Sequence, residues 1–181
     1  LGALAARMGQ ARIALPGGCP LGARPIDLHL AALRAMGAEI AADGESVHCR
    51  AEKLHGVHIR LPFPSVGATE NILLAATRCG GCMTVENAAM EPEITDLIGF
   101  LRSAGANIAG AGTAELTVYG GAPLHGTTYT VLPDRIETAT YLCAAAACGG
   151  KLELRRTAGE LLSPVITALR ASGCKIEQRH N

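Results

Sequence analysis

The residue in this chain best suited to chemistry is a cysteine in a stretch rich in glycine and proline. Cys19 stands in LPGGCPLGARP (residues 15–25), behind two glycines and between two prolines. Arg24 follows five positions later, and a guanidinium suits a phosphate or a carboxylate. A thiol near an arginine and near a helix N-terminus is favoured as the reactive thiolate. The stretch is compatible with a reactive thiol beside an anion site, and also with a flexible surface loop that carries an incidental cysteine.

The segments on both sides of Cys19 predict that it lies on a loop. Residues 11–15 are typical of a short strand, and residues 25–36 of a helix with Pro25 in its first turn. The segment 16–24 then connects strand to helix. Its glycines allow unusual backbone dihedrals or movement as a lid.

A second candidate site is the stretch SVGATE at residues 65–70, which opens a predicted helix. Backbone N–H groups around Ser65, Val66 and Gly67 could hold a phosphate at the positive end of that helix. The simpler interpretation is an ordinary serine N-cap, and this stretch alone favours it. The matching LPDRIET at 132–138 is explained equally well by capping and a local ion pair.

Composition argues against a nucleic-acid or membrane protein. Lys+Arg and Asp+Glu both number 16, there is no Trp, and only 2 Phe and 3 Tyr occur, whereas a nucleic-acid surface needs positive charge and usually stacking side chains. The apolar runs are short and are broken by Arg, Glu or Gly. We therefore expect a soluble, cytoplasmic protein.

The cysteines and histidines do not predict a metal site. Seven cysteines without an export signal are expected to be free thiols. Cys79 and Cys82 form a CxxC with two glycines between them, which is typical of a helix C-terminus and lacks a second pair at zinc-finger spacing. His48, His55 and His58 are expected on strands or at the surface.

An internal repeat organises the chain. ALRAMGAEI (32–40), FLRSAGANI (100–108) and ALRASGCKI (168–176) place their Leu-Arg pairs at intervals of 68 residues. A second segment recurs at nearly the same interval, because PSVGATENILLAATRCGG (64–81) matches PDRIETATYLCAAAACGG (133–150). Two independent segments that recur at nearly the same interval indicate duplicated supersecondary units.

Each unit is predicted to alternate strands and helices. Apolar residues at 94, 97, 98 and 101 form the stripe of an amphipathic helix, and ELTVYG (115–120) is typical of a strand. The strand after the second helix is predicted to be MTVEN (83–87) in one copy and KLELR (151–155) in the other. The fold class is therefore α/β or α+β. Because the chain opens inside a predicted helix and closes just after the third Leu-Arg copy, we expect an internal fragment of a longer protein.

Four long motifs resemble the bacterial UDP-N-acetylglucosamine 1-carboxyvinyltransferase family. They are LPGGCPLGARPIDLHLAALRAMGA, FPSVGATENILLAAT, VENAAMEPEITDL and TVLPDRIETAT. The resemblance extends over the whole chain and covers only the middle part of the family's polypeptide. It implies an inside-out α/β architecture of two lobes built from βαβαββ-type units, with the active site in the cleft between the lobes. Residues 1–133 would be most of the cysteine-bearing lobe, and 134–181 the beginning of the second, truncated lobe.

The resemblance also implies a reaction. These enzymes move the enolpyruvyl group of phosphoenolpyruvate onto the 3′-hydroxyl of UDP-N-acetylglucosamine in peptidoglycan synthesis. They release phosphate and need no metal or organic cofactor. Their loop cysteine, which corresponds to Cys19, protonates the methylene carbon of phosphoenolpyruvate, can form a covalent adduct with it, and is alkylated by fosfomycin. Arg24 corresponds to a residue that contacts the phosphate-bearing ligands.

Two runs correspond to the family's UDP-sugar-binding residues, and Phe63 stands where some members carry Lys. The expected partners are phosphoenolpyruvate and UDP-N-acetylglucosamine, and neither nucleic acid nor a membrane is expected. The protein is expected to be a monomer. The residues that the resemblance assigns to substrate binding are Arg24, Pro25, Ile26, Asp27, Leu28, Phe63, Pro64, Ser65, Val66 and Gly67.

Two alternatives stay open at this point. The sister enolpyruvyl transferase that acts on shikimate 3-phosphate shares the fold, although the cysteine-bearing GGCxxGxRPxDLH run argues against it. A non-catalytic remnant that keeps the repeats is the other alternative. Since further cleft residues of the family have no counterpart here, we expect these 181 residues to be inactive alone.

Overall fold

Helices and strands alternate along the chain, as the repeats predict. The structure is a computed structural model that describes residues 1–14 and 25–179; Cys19 and Arg24 lie outside these ranges. The chain divides into two units, of which the first is Leu1–Tyr129 and the second begins at Thr130. The two units are described separately.

The first unit places its strands in two sheets. One is antiparallel with the order β1-β3-β2, and the other is mixed with the order β4-β5-β7-β6. Strands β4 and β5 are parallel, which requires the crossover helix that lies between them in sequence. The described elements are α1 (Gly2–Met8), β1 (Gln10–Ala14), α2 (Asp27–Ala35), β2 (Glu39–Ala42), β3 (Ser46–Arg50), β4 (His58–Arg60), α3 (Val66–Ala76), β5 (Cys82–Glu86), α4 (Pro92–Ser103), β6 (Asn107–Ala109) and β7 (Glu115–Tyr119).

The core of the first unit is built around α3. This helix contacts α1, α2 and α4, and a helix surrounded in this way must be apolar on most of its circumference. Ala68, Ile72, Leu73 and Ala76 are all fully buried, and the small alanines allow the neighbouring helices to approach closely. Helix α3 is therefore the element that the other helices cover.

Helix α4 confirms the predicted amphipathic stripe. Ile94, Ile98 and Leu101 are buried, and Leu97 packs partly against the same core. Pro92 is the first helical residue, where its missing N–H costs no hydrogen bond. The helix ends at Ser103, shortly before Gly105, as the sequence predicts.

The second unit contains α5 (Arg135–Cys148), a 3₁₀ turn (Gly159–Leu162) and α6 (Ser163–Ala171). Its two helices confirm the predicted repeats. The strand predicted at 151–155 is wrong, because residues 130–179 contain no strand in the structure. A strand is stable only when another strand pairs with it, and β5, its counterpart in the first unit, pairs with β4 and β7. No such partner exists among the described residues of the second unit.

The duplicated helices begin in the same way. Ser65 is the N-cap of α3, and Asp134 is the N-cap of α5. One turn later, the Thr69 hydroxyl donates to the Ser65 carbonyl at 2.8 Å, and the Thr138 hydroxyl donates to the Asp134 carbonyl at 2.7 Å. The same capping chemistry therefore recurs at the start of both copies.

Candidate functional site

The described part of the candidate site lies at the N-terminal ends of α2 and α3. The two residues expected to act on phosphoenolpyruvate, Cys19 and Arg24, lie outside the described residues. The two runs expected to bind the second substrate, 25–28 and 63–67, are described. The described part of the site therefore consists of those two runs and the residues that hold them.

Helix α2 begins two residues later than predicted. Ile26 is the N-cap and Asp27 the first helical residue, so Pro25 precedes the helix instead of lying in its first turn. The reason is the first helical hydrogen bond, which Leu30 N–H donates to the Ile26 carbonyl at 3.0 Å. The first N–H groups of a helix have no acceptor within it, and Ile26 offers no side-chain cap. The start of α2 therefore has backbone donors with no acceptor inside the helix and no cap from the Ile26 side chain.

The start of α3 is capped only weakly. The Ser65 hydroxyl accepts a hydrogen bond from Ala68 N–H at 3.4 Å, which is long for such a bond. The serine is thus an N-cap, as the simpler interpretation predicts. The N–H groups of Val66 and Gly67 have no acceptor within the helix. The capping role of Ser65 therefore leaves N–H groups that could donate hydrogen bonds to an anion.

The two helix starts touch through a residue that sequence reasoning missed. A Cβ atom placed on Gly67 would lie 3.2 Å from Cε1 and 3.4 Å from Nε2 of His29. The His29 ring therefore lies directly against the first turn of α3. Two features of the sequence could have indicated this contact. His29 directly follows the run 25–28, and Gly67 stands in the first turn of a predicted helix.

The environment of His29 favours the neutral form of its ring. Burial lowers the pKa of this imidazole below its ordinary value of 6.5. The neutral form is thus favoured for the ring that contacts the start of α3.

Asn87 holds the loop that leads into α3. It lies just after β5 and has a φ of 56°, a left-handed conformation that few residues other than glycine adopt easily. Its side-chain amide donates to the Leu61 carbonyl at 2.9 Å, and Leu61 N–H donates to the Glu86 carbonyl at 3.0 Å. These bonds fix the chain two residues before Phe63. The sequence motif VENAAMEPE contains this asparagine, but its role was not predicted.

The surface beside the start of α3 is apolar and partly acidic. Phe63 is 56% exposed, and Pro64 is exposed as well. On the next turn of α3, burial and then repulsion from Glu93 raise the pKa of Glu70. The exposed ring of Phe63 is available to pack against a flat or apolar part of a ligand.

Three other titratable residues form an exposed group across two strands. His58 and Arg60 on β4 contact the Glu86 carboxylate on β5 at 2.9 and 3.0 Å. Cys79 is buried and Cys82 is exposed on β5. Within residues 1–14 and 25–179, no group of three or more His, Cys, Asp or Glu side chains could hold a metal ion. None of the helices in these ranges is long and apolar enough to cross a membrane.

The fold identifies the class of protein. The crystal structure of the enolpyruvyl transferase NikO from Streptomyces tendae matches with a TM-score of 0.76, covering 98% of this chain and 44% of that chain. At 24% sequence identity, this likeness establishes the fold, a mixed α/β fold of the enolpyruvyl-transferase type. The family model for EPSP synthase (3-phosphoshikimate 1-carboxyvinyltransferase) matches residues 1–181, and the chain belongs to this family.

Curated relatives confirm the resemblance found in the motifs. The chain is 49% identical over 180 residues to the UDP-N-acetylglucosamine 1-carboxyvinyltransferase of Granulibacter bethesdensis. It is 51% identical over 178 residues to the protein of the same name from Nitratidesulfovibrio vulgaris strain Hildenborough. These alignments cover 99% and 98% of this chain and 43% of either relative. The chain thus spans less than half the length of the relatives it matches.

Proposed function

We propose that this chain is part of an enzyme that transfers the enolpyruvyl group of phosphoenolpyruvate to the 3′-hydroxyl of UDP-N-acetylglucosamine. The geometric observation that carries the proposal is the contact between His29 and Gly67. It brings two helix starts side by side, each with N–H groups that have no acceptor within the helix. The identity of about half the residues with proteins named for this reaction supports the choice of substrate.

The two runs have complementary roles in the proposed site. The N–H groups at the starts of α2 and α3 suit the diphosphate of a UDP-sugar, because helix N-termini combine directed donors with a positive dipole end. Phe63 and Pro64 are exposed beside them and offer apolar contact to the nucleoside or sugar. Pro25, Ile26, Asp27 and Leu28 line the other side, and Ser65, Val66 and Gly67 supply the helix start.

Cys19 and Arg24 act on the other substrate in this proposal. The Cys19 thiol gives its proton to the methylene carbon of phosphoenolpyruvate, and the sugar 3′-hydroxyl bonds to the adjacent carbon with loss of its own proton. Loss of a proton from the new methyl group and departure of phosphate then restore the double bond. Arg24 binds the phosphate. No metal or organic cofactor takes part.

The wider assignments follow from the same proposal. We place the crossing between two lobes near residue 133, close to the division of the structure after Tyr129. The enzyme would serve peptidoglycan synthesis in the bacterial cytoplasm as a monomer. Since the chain spans 43% of its relatives, we expect no turnover from the isolated 181 residues.

Phosphate release tests the reaction. The complete protein, meaning the product of the whole reading frame in which this chain occurs, is incubated with phosphoenolpyruvate and either UDP-N-acetylglucosamine or shikimate 3-phosphate. We expect inorganic phosphate to form only with the UDP-sugar. Release with shikimate 3-phosphate instead would identify the sister transferase, and release with neither would identify a non-catalytic remnant.

Fosfomycin labelling tests the role of Cys19. Mass spectrometry of the complete protein should show one adduct on the peptide that contains Cys19, and Cys19→Ala should abolish it. Cys82→Ala is the matched control, because Cys82 is an exposed thiol on β5 and its removal should leave the labelling unchanged. An adduct that persists in Cys19→Ala would refute the assignment.

A further inference from the structure

The glycine at position 67 has no conformational reason to be there. It lies in the second position of α3 and has a helical backbone, with no left-handed φ. Glycine inside a helix costs about 1 kcal/mol relative to alanine. A side chain at position 67 would also need space beside the helix.

The space beside Gly67 is occupied by the ring of His29. An added Cβ would approach Cε1 to 3.2 Å and Nε2 to 3.4 Å, which is closer than ordinary van der Waals contact between carbon atoms. His29 and Gly67 each belong to one helix start. His29 directly follows the proposed run 25–28, and Gly67 is the last residue of the run 63–67. The contact therefore joins the two runs.

We propose that His29 is a positioning residue that holds the start of α3 against the start of α2 through its contact with Gly67. The inference rests on the proposed function, because the two runs it aligns are the proposed UDP-sugar site. His29 acts through the placement of backbone N–H donors and does not itself take part in the transfer. A side chain at position 67 would force the His29 ring to shift by a few tenths of an ångström.

Three variants of the complete protein test this inference. Gly67→Ala should raise KM for UDP-N-acetylglucosamine about tenfold and leave kcat within about twofold, since the change misplaces donors that bind substrate and transition state alike. His29→Ala should also raise KM, because the two runs lose their spacer. In the double variant, Gly67→Ala with His29→Ala, the new Cβ fits the space that the ring has left. The increase in KM should therefore be smaller than the product of the increases in the two single variants.

Two further variants separate positioning from general damage to the fold. Gly126→Ala is the matched control, since an added Cβ there meets nothing within 4 Å, and its KM should equal that of the unmodified protein. His29→Phe keeps a flat ring of similar reach without ring nitrogens, and it should retain most of the affinity.

The outcomes distinguish this inference from the function on which it rests. An active protein in which Gly67→Ala leaves KM unchanged, or in which the two substitutions combine additively, overturns the positioning role alone. An unmodified protein without transfer activity overturns the proposed function and the positioning role with it. Coupled KM effects with an unchanged kcat support both.

Discussion

The guanidinium of Arg102 donates two hydrogen bonds to the carbonyl oxygen of Ile108, at 2.7 and 3.0 Å. The same bond recurs in the next copy of the repeat, where Arg170 donates to the Ile176 carbonyl at 2.8 Å. In both copies the arginine lies in the last turn of a helix and the isoleucine lies beyond the glycine turn. In these two copies the LRxxGxxI motif therefore ties a helix to the segment that follows it.

Arg102→Met should destabilise the first unit. Methionine keeps an unbranched apolar stem but removes both donors to Ile108, so we expect a loss of about 1 kcal/mol in the free energy of unfolding. Urea denaturation of the complete protein measures this loss. Arg170→Met is the matched variant and should cost less, because Ile108 lies in the paired strand β6 whereas Ile176 lies outside any strand. A larger loss in Arg170→Met would contradict this explanation.

Helices were predictable from sequence because their signals are local. The apolar stripe of α4, Ser65 before α3 and Asp134 before α5 each lie within a few residues of the structure they determine. The fold class follows from these helices and the strands between them. The resemblance of the motifs to a known family, which supplied the function, required no structure.

The errors and omissions involve contacts that are distant in sequence. The segment 151–155 has the residues of a strand, but strand formation depends on a partner elsewhere in the chain. His29 and Asn87 were missed because their contacts, to Gly67 and to Leu61, cross from one element to another. Sequence alone indicated the runs that we propose to bind substrate, but not the residues that contact them.

Asn87 offers a test of stored backbone strain. Asn87→Gly removes the bond to the Leu61 carbonyl but tolerates the φ of 56°, so the expected loss of stability is about 1 kcal/mol. Asn87→Ala loses the same bond and adds the cost of a left-handed backbone, for a total of about 2 kcal/mol. Thermal and urea unfolding of both variants measure the difference. Equal losses would show that the backbone there carries no strain.

Glu70 should make the protein less stable as pH rises. Burial and then Glu93 raise the pKa of Glu70 above 4.5 in the folded state, so between the unfolded and folded pKa values the folded state binds more protons. Stability therefore falls as pH increases through this window, and the deficit persists at neutral pH. Because the side chain is only partly buried, solvent screening keeps the effect to roughly 0.5 kcal/mol.

Glu70→Gln removes this deficit. We expect a higher midpoint of thermal unfolding at neutral pH and no gain well below the unfolded pKa of the glutamate, where the carboxyl is protonated in both states. Glu39→Gln, an exposed position on β2, is the control for a general effect of net charge. A gain of the same size at both pH values would rule out the titration of Glu70 as its cause.

Ser65→Asp should separate helix stability from substrate binding. Aspartate is as good an N-cap as serine and adds a negative charge at the positive end of the helix. Asp134 occupies the equivalent position in the second copy and accepts two N–H bonds at 2.8 and 2.9 Å, so the duplicated backbone accommodates this residue. We expect the stability of the protein to stay level or to rise by about 0.5 kcal/mol.

The same substitution should weaken the binding of an anionic ligand at the start of α3. A carboxylate at position 65 occupies the N–H donors and repels a phosphate, so the Kd for UDP-N-acetylglucosamine should rise at least about tenfold, equivalent to about 1.4 kcal/mol. Calorimetric titration of the complete protein measures the affinity. Ser65→Ala is the comparison: it loses the cap, lowers stability by about 0.5 to 1 kcal/mol, and should affect Kd less. If Ser65→Asp binds the UDP-sugar as tightly as serine does, the phosphate site is not at the start of α3.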